Sequence, residues 1–274
     1  MEKSLIYLEK EASHEFDLEI ESVCDDSGES KDKIVKLNRK NVARVEAMLR
    51  YNSAYIHNEK PQLTKPEEKD GNHIGSASYW FGQLKEILIE KKTPRDYSYE
   101  TVITYLVKAV DKENSTHLNS DRVGYEQISK RIYEIPQEKL LSYLKDPKGT
   151  EYELINILSR KTEPKVDSDS KIHGRSNLSF ASKFCRWACY YLFERESEQD
   201  NYSAYDNVVK MALPEYLEHY GLNQRSLKEL SEYPEYQKCI DEIIDEAQKN
   251  DPNNERISRH GFDHLVWYYF KGRK

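Results

Sequence analysis

Apolar residues recur at three- and four-residue spacing along most of the chain, which is the period of an amphipathic helix. From residue 38 onward, Val42, Val45 and Leu49 follow this spacing. Further helical blocks begin near residues 79, 93, 124, 136, 150, 178, 207, 233 and 258, and most glycines and prolines fall between them. The pattern predicts about eight to eleven helices and therefore a mostly α fold in one or two lobes.

The first 30 residues have a different pattern. "LIYLE" and "FDLEIESV" alternate between apolar and polar positions, and the polar stretch "DDSGESKD" follows them. Alternation followed by a turn-rich stretch is typical of short strands or a hairpin. We expect at most a small N-terminal β element beside the helices.

Two polar stretches are predicted to be connectors. "NEKPQLTKPEEKDGNHIG" at 58–75 is rich in proline and charge and reads as a loop, and "EPKVDSDSKIHGRS" at 163–176 links two helical blocks. The second connector suggests a boundary near residue 170. It would separate residues 1–170, a mostly helical region of unassigned role, from residues 171–274, with both regions packed as one unit.

Composition narrows the class of protein. Charged residues make up 33% of the chain, the mean hydropathy is −0.91, and no apolar run approaches the length of a membrane helix. The N-terminus is acidic from Glu2 and shows no apolar leader. These features predict a cytoplasmic protein without a membrane partner.

The four cysteines are Cys24, Cys185, Cys189 and Cys239, too few and too scattered for a disulfide framework. Cys185 and Cys189 lie one helical turn apart, and no nearby His or Cys pair completes a four-ligand zinc pattern. We expect four reduced thiols, two of them in the core, and neither a metal site nor a cofactor.

The net charge of −7 argues against a wholly basic nucleic-acid surface but leaves room for local ones. Residues 31–50 hold seven basic and two acidic residues, and residues 256–274 hold five basic and one acidic residue. The two segments could form one phosphate-facing surface. They could equally be ordinary solvated helix faces.

The most apolar helix of the chain contains a lysine. In "LSFASKFCRWACYYLF", residues 178–193, Phe180, Phe184 and Ala188 share one apolar face, and Cys185 and Cys189 line the next. Lys183 nevertheless lies inside the same block. Such a lysine can extend its amine to solvent. Apolar surroundings and Arg186 three residues later would instead favour a neutral amine, which is a nucleophile for a carbonyl or sugar carbon.

A single acid follows this helix in "YSAYDNVV". Asp206 directly precedes "NVVKMALPEYL", where an N-cap residue would accept a hydrogen bond from the first turn of the next helix. The cap alone explains an aspartate here. It is also compatible with a catalytic role, because a capping carboxylate is held rigidly at the mouth of a helix.

These two segments resemble the helix-hairpin-helix DNA glycosylases. "SFASKFCRWACYYLF" is similar to their hairpin and lysine-bearing helix, and "YSAYDNVV" is similar to their aspartate segment. The closer likeness is to the bacterial 8-oxoguanine-DNA-glycosylase-like branch. The stretch "FDHLVWYYFKG" near the C-terminus of this chain also resembles the C-terminal stretch of that branch. The resemblance covers about residues 174–221 and the last dozen, and nothing comparable is visible in residues 1–170.

The resemblance implies a two-lobed helical fold and a DNA N-glycosylase that flips a modified base out of the duplex. Lys183 would be the amine nucleophile, with strand-cleaving lyase activity as a consequence, and Asp206 the catalytic carboxylate. The role would be repair or defence against phage. Phosphate contacts are expected from Ser179, Ser182, Arg175, Arg186, Arg39, Lys40 and Arg259, and a base pocket from Trp80, Phe81 and Trp187.

The chain departs from the family pattern at the hairpin and in the connector. "SFAS" stands where the family has a glycine-rich hairpin, and the nearest glycine is Gly174. The acidic "ERESEQD" lengthens the connector, so that 23 positions separate Lys183 from Asp206. No four-cysteine cluster follows, which excludes the iron–sulfur subgroup. Two other classes stay open: a non-catalytic DNA-binding module and a helical protein-interaction module.

Overall fold

The computed structural model of the chain describes residues 18–24, 30–56, 67–69, 72–74, 84, 99–114, 118, 124–160, 177–192, 200–251 and 255–271. The chain forms two compact units. The first unit is built from Met1–Lys60 and Asp206–Lys274, and the second from Pro61–Tyr205. The predicted mostly α fold is confirmed for the described residues.

The first unit begins with an antiparallel hairpin of β1 (Ile20–Cys24) and β2 (Ser30–Val35), in which Ile20 pairs with Val35. This confirms the small N-terminal β element expected from "FDLEIESV", while "LIYLE" lies outside the described residues. Its helices are α1 (Arg39–Ile56), α7 (Asn207–His219), α8 (Tyr233–Asn250) and α9 (Arg259–Phe270).

Asn41 fastens the hairpin to α1. Its side-chain amide donates to the carbonyls of Glu19 and Lys36, both at 2.9 Å, and its side-chain oxygen accepts from the Glu19 N–H at 3.1 Å. Asn38 in turn caps the start of α1 by accepting the Asn41 N–H at 2.7 Å. Because Asn41 is fully buried, these bonds satisfy polar groups that have no access to water.

Helices α7 and α9 pack against the hairpin and against each other. The fully buried Tyr216 donates its hydroxyl to the Val35 carbonyl at 3.0 Å and packs its ring beside Phe262 and Phe270. A tyrosine suits this place because its ring fills the core while its hydroxyl satisfies the end of a strand. Contacts of this kind join the two ends of the chain into one unit.

The second unit contains the short hairpin of β3 (Glu67–Lys69) and β4 (Asn72–Ile74). The helices of this unit whose bounds lie in the described residues are α2 (Tyr99–Asn114), α3 (Gly124–Tyr133), α4 (Gln137–Lys145), α5 (Glu153–Ser159) and α6 (Leu178–Leu192). Helix α6 packs against α2, α4 and α5. The core of this unit is aliphatic and aromatic, with Ile103, Leu106, Leu140, Leu154, Phe180 and Phe184 buried.

Two expectations differ from the structure. The stretch 58–75 was predicted to be a loop, but it contains β3 and β4, with the sequence Asp70-Gly71 between them. Asp-Gly is a strong hairpin signal, which the surrounding charges and prolines obscured. The predicted boundary near residue 170 is not where the units divide, because α7 and α9 pack with the N-terminal hairpin, α9 packs with α1, and α8 packs with α7 and α9.

The other predicted helices begin within three residues of the expected places, except α2, which begins at Tyr99 and not near residue 93. The helix expected near residue 79 is described at Leu84 alone, which is helical and buried, and its other residues lie outside the described ones. Among the described helices, none combines the length and hydrophobicity needed to cross a lipid bilayer.

Gly261 sets a close approach between α9 and α1. A Cβ atom at this position would lie 2.9 Å from Cγ1 and 3.2 Å from Cγ2 of Val42. We expect Gly261→Ala to lower the free energy of unfolding by about 1–3 kcal/mol, the usual cost of overpacking. Val42→Ala removes both methyl groups, so the double variant should recover much of that loss in urea denaturation. Strictly additive losses would contradict the close contact.

Candidate functional site

Helix α6 buries two of its faces. Phe180, Phe184 and Ala188 lie on one, and Cys185 and Cys189 lie on the next, all of them at most 1% exposed. This confirms the two apolar faces predicted from the sequence and the two core thiols. Burial raises the pKa of Cys185 well above its ordinary value, so this thiol stays protonated and serves packing rather than chemistry.

The third face of α6 is half-exposed and carries the predicted nucleophile, Lys183. We call it the α6 stripe, and it comprises Ser179, Lys183, Arg186, Trp187 and Tyr190. The spacing of four, three, one and three places these residues on one side of a helix. No acidic residue occurs anywhere in α6. The stripe therefore combines two cations with two aromatic rings and no opposing carboxylate of its own helix.

Two aromatic side chains of the α6 stripe contact each other. The rings of Trp187 and Tyr190 meet edge to face, with centroids 5.9 Å apart and an interplanar angle of 82°. This T-shaped arrangement is a preferred geometry for aromatic pairs. It fixes Trp187 at the side of the helix that also carries Lys183.

Ser182 has a different place from the one expected. It is buried, donates its hydroxyl to the Ser179 carbonyl at 3.1 Å and accepts the Tyr205 N–H at 2.8 Å. The expected DNA contact of this side chain therefore gives way to a structural role inside the second unit. Ser179, the other serine predicted to contact DNA, lies within helix α6 and not in a hairpin, and it is half-exposed on the α6 stripe.

The segment before Asp206 is anchored at three points. The Asn201 amide donates to the last carbonyls of α4, at 2.8 Å from Leu144 and 2.9 Å from Lys145, which satisfies acceptors that the helix leaves open. The buried Tyr202 hydroxyl donates to the Tyr143 carbonyl at 2.8 Å, and burial raises the pKa of this phenol. Together with the Ser182–Tyr205 bond, these contacts fix residues 201–205 within the second unit.

Asp206 is the N-cap of α7, as predicted. Its backbone is extended, with φ −132° and ψ 139°, and its Oδ1 accepts the Val208 N–H at 2.8 Å. The backbone N–H of Asp206 donates to the hydroxyl of the buried Tyr236 on α8 at 3.4 Å. The side chain is half-exposed, so the carboxylate is oriented by the helix and still reachable from solvent.

Lys183 and Asp206 belong to different units, the lysine to the second and the aspartate to the first. The chain passes from one to the other directly after Tyr205. The Ser182–Tyr205 hydrogen bond, which lies wholly in the second unit, joins the residue before Lys183 to the residue before Asp206. It thus links two segments that are 23 positions apart in sequence.

The expected phosphate contacts of the first unit all have acidic partners. Arg39 pairs with Glu255, and Lys40 pairs with Glu19 at 2.6 Å and, through that hydrogen bond, lowers the pKa of this carboxyl. Arg259 holds Asp241 with two bonds of 2.6 and 2.9 Å, and only 17% of its side chain is exposed. Arg259 therefore fastens α9 to α8, which replaces the predicted DNA contact by a structural role.

Three of the predicted site residues, Arg175, Trp80 and Phe81, lie outside the described residues. One further amine was not predicted from the sequence. Burial lowers the pKa of Lys108 on α2, the helix that packs against α6. The sequence could not have identified Lys108 as a buried amine. Its neighbours Val107 and Ala109 are apolar, but many lysines on amphipathic helices have apolar neighbours.

A group of metal-ligand type in the first unit was likewise not predicted from the sequence. Glu46 of α1 and His260 and His264 of α9 each offer a donor atom, and these atoms lie within 4.8 Å of one another. The His-x3-His spacing was a visible signal on a predicted helix. Its third member was not visible, because Glu46 lies more than 200 positions away.

Comparison of the chain with protein-family models, curated proteins and solved structures found no match. The class defined by fold and site is therefore a mostly α protein in two units with a basic, aromatic stripe on α6 and a carboxylate capping α7.

Proposed function

We propose that the protein is a DNA N-glycosylase that removes a modified base, with Lys183 as the amine nucleophile and Asp206 as the catalytic carboxylate. The observation that carries this proposal is the α6 stripe. Two cations and two aromatic rings on one half-exposed, acid-free helix face suit a polyanion that also offers bases for stacking. An ordinary solvated helix face would mix charges of both signs.

The geometry around Asp206 supports the catalytic half of the proposal. The transition state of base release has oxocarbenium character at C1′, and a fixed anion nearby stabilises that charge. The α7 cap and the Tyr236 hydroxyl hold Asp206 in one orientation without burying it. Preorganisation of this kind is what makes a single carboxylate effective.

The chemical step uses the amine of Lys183. Its nitrogen attacks C1′ as the C1′–N bond to the base breaks, and the base leaves with that electron pair and takes up a proton. The attacking nitrogen then loses a proton, and the C1′–O4′ bond opens with proton uptake by O4′, which gives a Schiff base. Loss of a C2′ proton from the Schiff base breaks the C3′–O bond and releases the 3′ phosphate. Trp187 would stack on the flipped base or fill the gap it leaves.

The Ser182–Tyr205 hydrogen bond supports a defined position for the end of the segment that leads to Asp206. It ties the segment entering Asp206 to the turn of α6 that carries Lys183. The bonds of Asn201 and Tyr202 keep the remainder of that segment fixed. A mobile connector would have to be ordered each time DNA binds, at a cost in affinity.

The experiment is a base-release assay on duplexes carrying oxidised, alkylated or hypermodified bases, with unmodified DNA as reference. We expect abasic sites, detected by alkaline cleavage, from one class of modified base and none from the reference. Binding that falls with salt should accompany release. Salt-sensitive binding without release from any duplex would instead identify a non-catalytic DNA-binding module, and absence of binding at low salt would contradict both readings.

A matched pair of variants tests the α6 stripe in the same assay. Arg186→Gln should reduce the slope of log affinity against log salt by about 0.9 if its guanidinium contacts one phosphate. Arg131→Gln is the control, since this arginine of the second unit donates instead to the Arg160 carbonyl. If Arg186→Gln and the wild type had equal slopes, the α6 stripe would not be part of the DNA interface.

A further inference from the structure

We propose that the first unit binds a divalent transition-metal ion, Zn²⁺ in the first place, through Glu46, His260 and His264. The inference is independent of the glycosylase proposal, because these residues belong to α1 and α9 and not to the α6 stripe. Two imidazoles and a carboxylate are the donor set that Zn²⁺ and related borderline ions take up in proteins.

The three donor atoms lie within 4.8 Å of one another. A tetrahedral zinc ion with ligand bonds of about 2.0–2.2 Å separates its donors by about 3.4 Å. Closing the group around an ion therefore requires shifts of about 1 Å, which side-chain rotation supplies. The backbone already has the required placement, with both histidines on one helix face and the glutamate on the facing helix.

Helix α9 presents the two histidines together. His260 and His264 are separated by one turn, and their ring centroids lie 3.8 Å apart with an interplanar angle of 62°. Residues four apart on a helix point in nearly the same direction, which is the arrangement of paired histidine ligands in helical metal sites. All three residues are half-exposed, so the group lies near the surface of the first unit.

The contact between α1 and α9 places Glu46 opposite these histidines. Gly261, next to His260, allows the close approach to Val42, and Glu46 lies one turn beyond Val42 on α1. The start of α9 is fixed further by the Ser258 cap, which accepts the Gly261 N–H at 3.0 Å, and by the Arg259–Asp241 pair. The ligands thus project from a rigid helix pair, as a metal site requires.

The donor set leaves one coordination position open. Three protein ligands around a tetrahedral ion leave a fourth place for water or an anion, whereas closed structural zinc sites use four. The overall charge of the donors, one negative with two neutral imidazoles, leaves a bound divalent ion with a net charge of +1. An ion here would tie α1 to α9 and could hold an anionic group at the surface of the first unit.

The experiment is a titration of the full-length, chelator-treated protein with Zn²⁺ by calorimetry, repeated with Co²⁺ for its absorption spectrum. We expect one ion per chain, visible Co²⁺ bands of a four- or five-coordinate site, and a rise in melting temperature with Zn²⁺. His264→Ala and Glu46→Gln should each weaken binding at least about 100-fold, more than the loss of an outer-shell partner costs.

His219→Ala is the matched control, because His219 also pairs with a glutamate of the first unit, Glu21 at 3.2 Å, but belongs to no group of three metal-type donors among the described residues. It should bind Zn²⁺ like the wild type. Glu46→Gln conserves size on a half-exposed helix face, so it reports on binding even if His264→Ala fails to fold. Absence of binding to the wild type, or equal affinity in Glu46→Gln and the wild type, would overturn the proposal.

Discussion

The Asp206→Asn variant is expected to fold as stably as the wild type and to release the modified base at least about 100-fold more slowly. Asparagine caps helices about as well as aspartate, so the bond to the Val208 N–H survives the substitution. The substitution removes the negative charge beside the sugar. This charge stabilises the transition state but is not required for folding. Stability is measured by urea denaturation and release under single-turnover conditions.

Asp206→Ala is the companion variant. It removes both the charge and the cap, so we expect the same loss of release together with a decrease of about 1 kcal/mol in the free energy of unfolding. The pair of variants separates chemistry from folding at one position. If Asp206→Asn released the base at the wild-type rate, helix capping would be the only role of Asp206 in this reaction. The catalytic assignment would then be wrong.

Features that depend on neighbours along the chain could be predicted from the sequence. The helix periods located most helices, and the two buried faces of α6 followed from the spacing of Phe180, Phe184, Cys185 and Cys189. The Asp206 cap was equally local, because only the first turn of α7 is involved. Burial patterns and caps of this kind are decided within a few residues, which a sequence displays directly.

Features that depend on long-range contacts could not be predicted. The Ser182 hydroxyl was expected to face DNA. No sequence signal near it indicated that the Tyr205 N–H, 23 positions away, donates a hydrogen bond to it. Arg259 looked like one more residue of a basic segment until its acidic partner on α8 was known. A count of charged residues gives the net charge of a segment. It does not show which charged residues form ion pairs with residues of other helices.

The same limit explains the division into units. Sequence connectors mark where the chain is polar, whereas units are defined by which helices share a core. The 163–176 connector is polar, yet the helices on both sides of it, α5 and α6, pack together in the second unit. The change of unit occurs instead at Tyr205–Asp206, between a residue bonded to α6 and a residue bonded to α8.

The second large effect is expected at Lys183. Lys183→Gln should abolish the protein–DNA complex that borohydride traps, because only a primary amine forms the imine that borohydride reduces to a stable bond. DNA with a preformed abasic site is the sharper substrate, since its aldehyde reacts without prior base release. On that substrate Asp206→Asn should still be trapped while Lys183→Gln is not, which separates the roles of the two residues.

Lys108→Gln is the control that makes this result specific. Burial lowers the pKa of Lys108, so a larger share of its amine is neutral and it is the strongest competing nucleophile among the described lysines on chemical grounds. Its position on a helix packed against α6 keeps it in the second unit. We expect Lys108→Gln to be trapped like the wild type on denaturing gels. If trapping survived in Lys183→Gln but disappeared in Lys108→Gln, the nucleophile would be Lys108 on α2. The DNA-facing surface of the unit would then lie at α2 as well.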